Sequence, residues 1–324
     1  MVGFITIPHW ALQARTSRYD GHCPISLGTH VTIKHIFTIN LQNMHIVSTK
    51  SDLHSCLHRD ILPGRLGFVP TMGALHRGHL ALIESAIQKD PFIVVSIFVN
   101  PTQFNDTRDF QKYPRNFEND VSILRPVLRA GDIIFLPDEA EMYPEPDTRR
   151  FHFGGLEQTM EGLHRPGHFN GVAQIVSKLF ELIRPDRAYF GQKDFQQLRI
   201  IQELVDRLDL PVEIVACPTV RENDGLAMSS RNALLRPDVR QDAARIYASL
   251  ERAAKLSSQL PVKEVKKATI EYIHQSPLLE VEYFEIVKGS DLRSIRSWKE
   301  EGAVYGCIAV QAGGIRLIDN IRFK

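Results

Sequence analysis

The sequence predicts an α/β protein built on a parallel sheet, with a smaller α+β part at its C-terminal end. Three observations carry this expectation. From residue 44 to 216, short apolar runs alternate with stretches of helical periodicity, the pattern of right-handed strand–helix–strand crossovers. The run 92–99 is apolar almost throughout, as a central parallel strand covered on both faces should be. After Cys217-Pro218 the text shifts to two helical stretches followed by alternating segments, which suits a small antiparallel sheet. The expected division is therefore a Rossmann-like sheet domain over 44–219 and an α+β lid domain over 220–324.

Each element follows from its own pattern. Residues 44–47 read as a short first strand, followed by a helical stretch from Lys50. Strand 65–69 precedes a helix over 78–89, and strand 92–99 follows. A helix over 116–130 must be kinked or split at Pro126, which has no N–H to donate. Strand 132–136 ends at Pro137. Residues 171–183 keep one apolar helical face through Val172, Ile175, Val176, Leu179, Phe180 and Ile183. Strand 187–190, helix 194–208 and strand 212–216 complete the alternation. Helices 238–256 and 262–274 then lead into strands 281–287, 304–310 and 315–319.

Composition bounds the function classes. A chain of 324 residues can bury a sizeable core. Its net charge of +1 argues against a nucleic-acid-binding surface. Cys23, Cys56, Cys217 and Cys307 are scattered without CxxC spacing, which fits free thiols in a reducing cytoplasm. No apolar stretch approaches the roughly 20 residues of a membrane-spanning helix. Residues 1–43 lack helical periodicity and the features of a secretory signal, and carry too few arginines for a transit peptide. They are expected to be an extension outside the fold, consistent with a start codon assigned upstream of the true one.

The most informative segment is Pro70-Thr71-Met72-Gly73-Ala74-Leu75-His76-Arg77-Gly78-His79. It places two histidines between a strand end and a helix start. In open α/β sheets ligands gather there, and a helix N-terminus suits phosphate. A helix cap is the plain alternative. A zinc site is disfavoured, because no cysteine cluster stands nearby. Three further segments also follow strands or sit at the domain junction. Asn100-Pro101-Thr102-Gln103 offers amides for a carboxylate and hydroxyls. Gly191-Gln192-Lys193-Asp194 with Gln197 offers a point charge at a helix start. Asp224 to Asn232 holds Met228, Ser229, Ser230 and Arg231, a compact set of phosphate donors. Arg165-Pro166-Gly167-His168 could add another cation at a helix start. His164 reads as a loop residue, and His54, His58 and His274 as solvated helix residues. Asp120 is the helical acid that could serve magnesium indirectly.

Taken together, FVPTMGALHRGH, VVSIFVNPTQF, RPGHFNGV, GQKDFQQL and DGLAMSSRN, in this order and closed by IRLIDN, resemble the pantothenate synthetase family from about residue 44 to the end. The resemblance implies a cytoplasmic homodimer that joins pantoate to β-alanine with ATP, through a pantoyl-adenylate, releasing pyrophosphate and AMP. It also implies roles. Met72, Gly73, Ala74, Leu75, His76, Arg77, Gly78 and His79 would form the ATP-binding loop, with His79 as proton donor. Gly191, Gln192, Lys193 and Asp194 would contact adenosine and phosphates, and Val220 the adenine. Met228, Ser229, Ser230 and Arg231 would form a flexible phosphate loop. Gln103 and Gln197 would hold pantoate, and Arg165 and His168 would give substrate-side support. The histidines, Lys193, Arg231 and Mg2+ would neutralise the polyphosphate electrostatically. Arg77 stands where relatives often have an acid, and Gln192 where many have Glu. A related adenylyltransferase, an aminoacyl-tRNA synthetase fragment and an inactive ATP-binding regulator are the competing readings. The C-terminal domain with NPTQF and KDFQQL argues against the first, the lack of room and charge for an anticodon-binding region against the second, and intact His76, His79, Lys193 and Arg231 against the third.

Overall fold

Six strands form the first sheet: β1 (His45–Val47), β2 (Leu66–Thr71), β3 (Phe92–Ile97), β4 (Ile133–Phe135), β5 (Arg187–Gly191) and β6 (Glu213–Cys217). Their spatial order is β1-β4-β3-β2-β5-β6, and every pairing is parallel. The computed structural model describes residues 44–60, 66–105 and 107–324, all within one compact unit, Asn40–Lys324. The expected extension over 1–43 lies outside the described residues.

Alternation along each strand divides the side chains between two cores. Phe68, Val94, Phe135, Ala188 and Phe190 face one layer, under the helix His168–Ile183. Val69, Val95, Ile134, Tyr189 and Val215 face the other, under the helices Arg77–Lys89 and Phe117–Leu124. Both faces are thus covered, which is why β3 reads as a nearly unbroken apolar run. The helix His168–Ile183 buries Val172, Val176, Leu179 and Phe180. Truncating Leu179 to Ala would cost about 2–5 kcal/mol. The helix ends where Arg184 turns left-handed, at φ 51°, before Pro185.

The second sheet is antiparallel: β7 (Leu279–Lys288), β8 (Val304–Ala312) and β9 (Ile315–Arg322), with β8 central. Helices Arg245–Leu256 and Val262–Ile273 pack on it through Ile246, Leu250, Val265 and Ile273 against Phe284, Ile308 and Val310.

Several expectations need correction. The helix expected over 116–130 stops at Leu124, because Pro126 cannot donate to the Ser122 carbonyl. Asn116 caps its start through the Asn119 N–H, and Val127 and Leu128 both turn back onto the Leu124 carbonyl. The helix expected over 238–256 is two, Pro237–Ala243 and Arg245–Leu256, joined at Ala244. His164 is not in a loop; it ends the short helix Met160–His164 and its ring lies against Tyr283. Met160–His164, Thr107–Lys112 and Glu139–Met142 are too short for periodicity to reveal.

Candidate active site

The chain runs from β2 outward through β3 to β4, then returns to place β5 on the other side of β2. At such a reversal the loops leave the carboxyl ends of neighbouring strands in opposite directions and open a crevice. A cleft of about 1300 Å³ lies there, lined from the loops after β2, β3, β5 and β6. A second cavity of about 670 Å³ joins it toward β9. Met72, Gln103, Lys193, Asp194, Gln197 and Arg231 line both.

His76 and His79 cap the helix Arg77–Lys89 reciprocally. Nδ1 of His76 accepts the Gly78 N–H at 3.1 Å, and Nδ1 of His79 accepts the His76 N–H at 3.3 Å. With both Nδ1 atoms accepting, each ring carries its proton on Nε2. Burial, with Lys193 adding to it, lowers His76 from 6.5 to about 4. Burial, then His76 and Lys193, lowers His79 to about 3. Both rings are therefore neutral N–H donors near neutral pH. Both caps leave the rings lining the cleft, where they are neutral.

Asp120 is fully buried, and its two oxygens accept the N–H groups of Ala74 at 2.9 Å and Leu75 at 2.7 Å. Both oxygens thus hold the loop backbone, one N–H each. Gly73 is required beneath it: its φ is +80°, and a Cβ would sit 2.8 Å from an Asp120 oxygen.

Gln103 is placed by a buried relay. Asn100 donates from Nδ2 to Gln103 Oε1 at 3.2 Å and to the Gly171 carbonyl at 3.1 Å, while the Tyr143 hydroxyl donates to Asn100 Oδ1 at 2.7 Å. Asn100 thus supports Gln103 and lines the cleft beside it. Gly171 lets the helix approach this turn, because a Cβ there would meet the Thr102 carbonyl at 2.2 Å. His168 faces the Gln103 carbonyl through Nδ1 at 2.8 Å and Arg165 through Nε2 at 3.3 Å. Burial and then the Arg165 charge lower it to about 4. The ring is therefore neutral near neutral pH, and the cation of this segment is Arg165.

The cations at the cleft already have partners. Lys193 Nζ lies 3.4 Å from Asp194, and Arg231 donates to Asp109 at 2.9 Å. Ser230 Oγ donates to the Ala74 carbonyl at 3.0 Å, so the 228–231 segment touches the histidine loop directly. Gly78, Gly191, Val220, Met228 and Ser229 also line the cleft. Gly73, Ala74 and Leu75 shape the loop behind it. Arg77 is exposed, on the outer side of the helix start, and lines neither cavity; Gln192 meets β9 through its backbone.

Sequence reasoning missed Tyr113, which is buried below Arg231, the ring centre 5.7 Å from the guanidinium. It also missed Glu161, which accepts from Arg316 and from the Tyr283 hydroxyl. Burial pushes the Glu161 carboxyl up, but Arg316 and Tyr283 outweigh it and hold the group at about 2. An arginine on a half-buried strand, Arg316, was the available signal for that network.

The model of the family described as pantoate-beta-alanine ligase matches residues 45–322. The chain belongs to the pantoate-beta-alanine ligase family. Pantothenate synthetase of Bacteroides thetaiotaomicron is 49% identical over 282 residues, 87% of this chain and 99% of that protein. That of Porphyromonas gingivalis is 48% identical over 87% of this chain and 100% of its own. Among solved structures, the pantothenate synthetase of Thermus thermophilus superposes with a TM-score of 0.79 at 42% identity, covering 86% of this chain and 99% of that one. The Francisella tularensis pantoate-beta-alanine ligase, solved with beta-gamma ATP and beta-alanine, gives 0.72 at 33% identity, covering 86% and 97%. The resemblance read from the motifs and the α/β fold class are both borne out. As a pantoate-beta-alanine ligase family member the chain is an enzyme that forms a bond between an acid and an amine. Among the described residues no helix is long and apolar enough to cross a membrane.

Proposed function

We propose that the chain condenses pantoate with β-alanine at the expense of ATP, through a pantoyl-adenylate, with release of pyrophosphate and AMP. The observation that carries this reading is the cleft at the β2/β5 reversal. There two neutral Nε2–H donors, Lys193 and Arg231 face the amides of Gln103 and Gln197 across one space. A carboxylate attacking the α-phosphate needs the polyphosphate charge offset and the two reactants held in line. Lys193 and Arg231 supply full charges, His76 and His79 supply directed N–H groups, and the helix Arg77–Lys89 adds its positive end. Gln103 and Gln197 hold pantoate through amides that both donate and accept. Val220 and Met228 flank the nucleotide base.

The chemistry of the donor set says how Mg2+ fits. Among the described residues no three His, Cys, Asp or Glu side chains cluster to cage a metal. Mg2+ therefore enters with ATP as part of the substrate, and offsets phosphate charge there. Residues 220–324 act as a lid domain; Leu226 is the first residue in sequence of the core that this part builds around its own sheet. A Rossmann-like nucleotide fold, a homodimer and a cytoplasmic setting complete the reading, supported by family membership. Incubation with Mg2+, ATP, pantoate and β-alanine tests it. AMP release that requires both pantoate and β-alanine supports the proposal, and ATP binding without AMP release under any substrate combination refutes it.

A further inference from the structure

Two consecutive residues of β9, Asp319 and Asn320, reach into the loops that flank the cleft. Both are buried. The Asn320 Nδ2 donates to the carbonyls of Gln192 and Lys193, each at 2.9 Å, although these lie 128 and 127 positions away in sequence. Carbonyls only accept, so the amide nitrogen must face them and the orientation of Asn320 is fixed. Asp319 receives a two-armed bond from Arg221, at 2.6 and 2.9 Å, and its Oδ1 also accepts the Asn320 N–H at 2.7 Å. Arg221 follows Val220, pairs through its backbone with Ala227, and lies 3.5 Å over the Tyr247 ring. Segments 191–194 and 220–228 are thus both tied to one dipeptide of the antiparallel sheet.

We propose that Asn320 is a positioning residue for Lys193, and that the Asp319–Asn320 pair sets the spacing of the two loops across the cleft. The inference rests on the reading of Lys193 as a phosphate-facing cation. A lysine ammonium sits on a flexible four-carbon stem, so its placement depends on a fixed backbone. Asn320 supplies that fixity from outside the parallel sheet, through the two carbonyls on either side of the Lys193 amide.

Asn320→Ala and the milder Asn320→Ser, each alone and combined with Lys193→Ala, test this. Pantoate-dependent AMP formation, ATP affinity by calorimetry and thermal midpoint are read for each. Asn320→Ala should lower kcat by about 10- to 100-fold, in keeping with an Å-scale misplacement, while the pantoate KM stays within about twofold. Asn320→Ser, which keeps one donor, should fall between it and the parent. In the Lys193→Ala background the same change should cost less than about twofold, because the residue it positions is gone. Equal losses in both backgrounds, or full activity in Asn320→Ala, overturn the proposal. If the unmodified protein makes no AMP, the functional reading fails, and the calorimetric arm still decides: loss of ATP affinity must then depend on Lys193.

Discussion

His76 and His79 share one helix start: the His79 ring accepts the His76 N–H, and the His76 ring accepts the Gly78 N–H, so each ring carries its proton on Nε2. A pair that looked like a choice between helix cap and ligand site caps the helix and also lines the cleft. The cap uses Nδ1 and leaves Nε2–H for the cleft.

This arrangement has a pH signature. His76, His79 and His168 titrate at about 4, 3 and 4 in the folded protein, against 6.5 when unperturbed. The unfolded chain therefore binds more protons than the folded one between pH 6.5 and these values. Stability should be insensitive to these groups above pH 6.5 and should decline as pH falls from 6.5 toward 4. Thermal midpoints across pH 4–8 check this, and a midpoint that rises on acidification through that window contradicts it.

His79→Ala removes a donor at the cleft and one arm of the cap. Adenylate formation should drop by about 10²–10³-fold, as for loss of a directed donor elsewhere. The lost cap should cost about 0.5–2 kcal/mol, leaving the fold intact. Single-turnover AMP formation beside a denaturant titration separates the two effects.

Asp120→Ala should be a stability variant with an activity consequence. It strands two N–H groups of the histidine loop, each costing about 1–3 kcal/mol when buried and unpaired. A lower denaturation midpoint together with weaker ATP binding is expected. Unchanged ATP affinity in the folded variant would show that the loop holds its shape without this carboxylate.

Asp109→Asn should act in the opposite direction on the nucleotide. Asp109 is 40% exposed and pairs with Arg231, the guanidinium proposed to meet phosphate. Pairs of this exposure are worth about 0.2–1 kcal/mol, so pyrophosphate and ATP should bind up to about fivefold more tightly. Inhibition by pyrophosphate measures it directly.

The parallel sheet was legible because its strands are buried on both faces, and β3 shows this as an uninterrupted apolar run. The motif residues at strand ends were legible because glycines, histidines and amides cluster in Met72 to His79 and in Asn100 to Gln103. What escaped was the support behind them. Asp120 lies 46 positions from Ala74 in sequence, and Asn320 lies 127 from Lys193, so neither spacing nor periodicity joins them. The neutral state of His168 escaped too, because it depends on burial and on Arg165. The break before Pro126 was legible, but not that the chain would fail to resume the helix beyond it. The turn at Ala244 was not, since alanine carries no signal to break a helix.

The central claim is that this cleft activates pantoate on ATP before the amine arrives. Exchange of labelled pyrophosphate into ATP, with pantoate present and β-alanine omitted, measures that step alone. The account predicts exchange that requires pantoate and is nearly abolished in Lys193→Ala. Exchange independent of pantoate, or undiminished in Lys193→Ala, would contradict it.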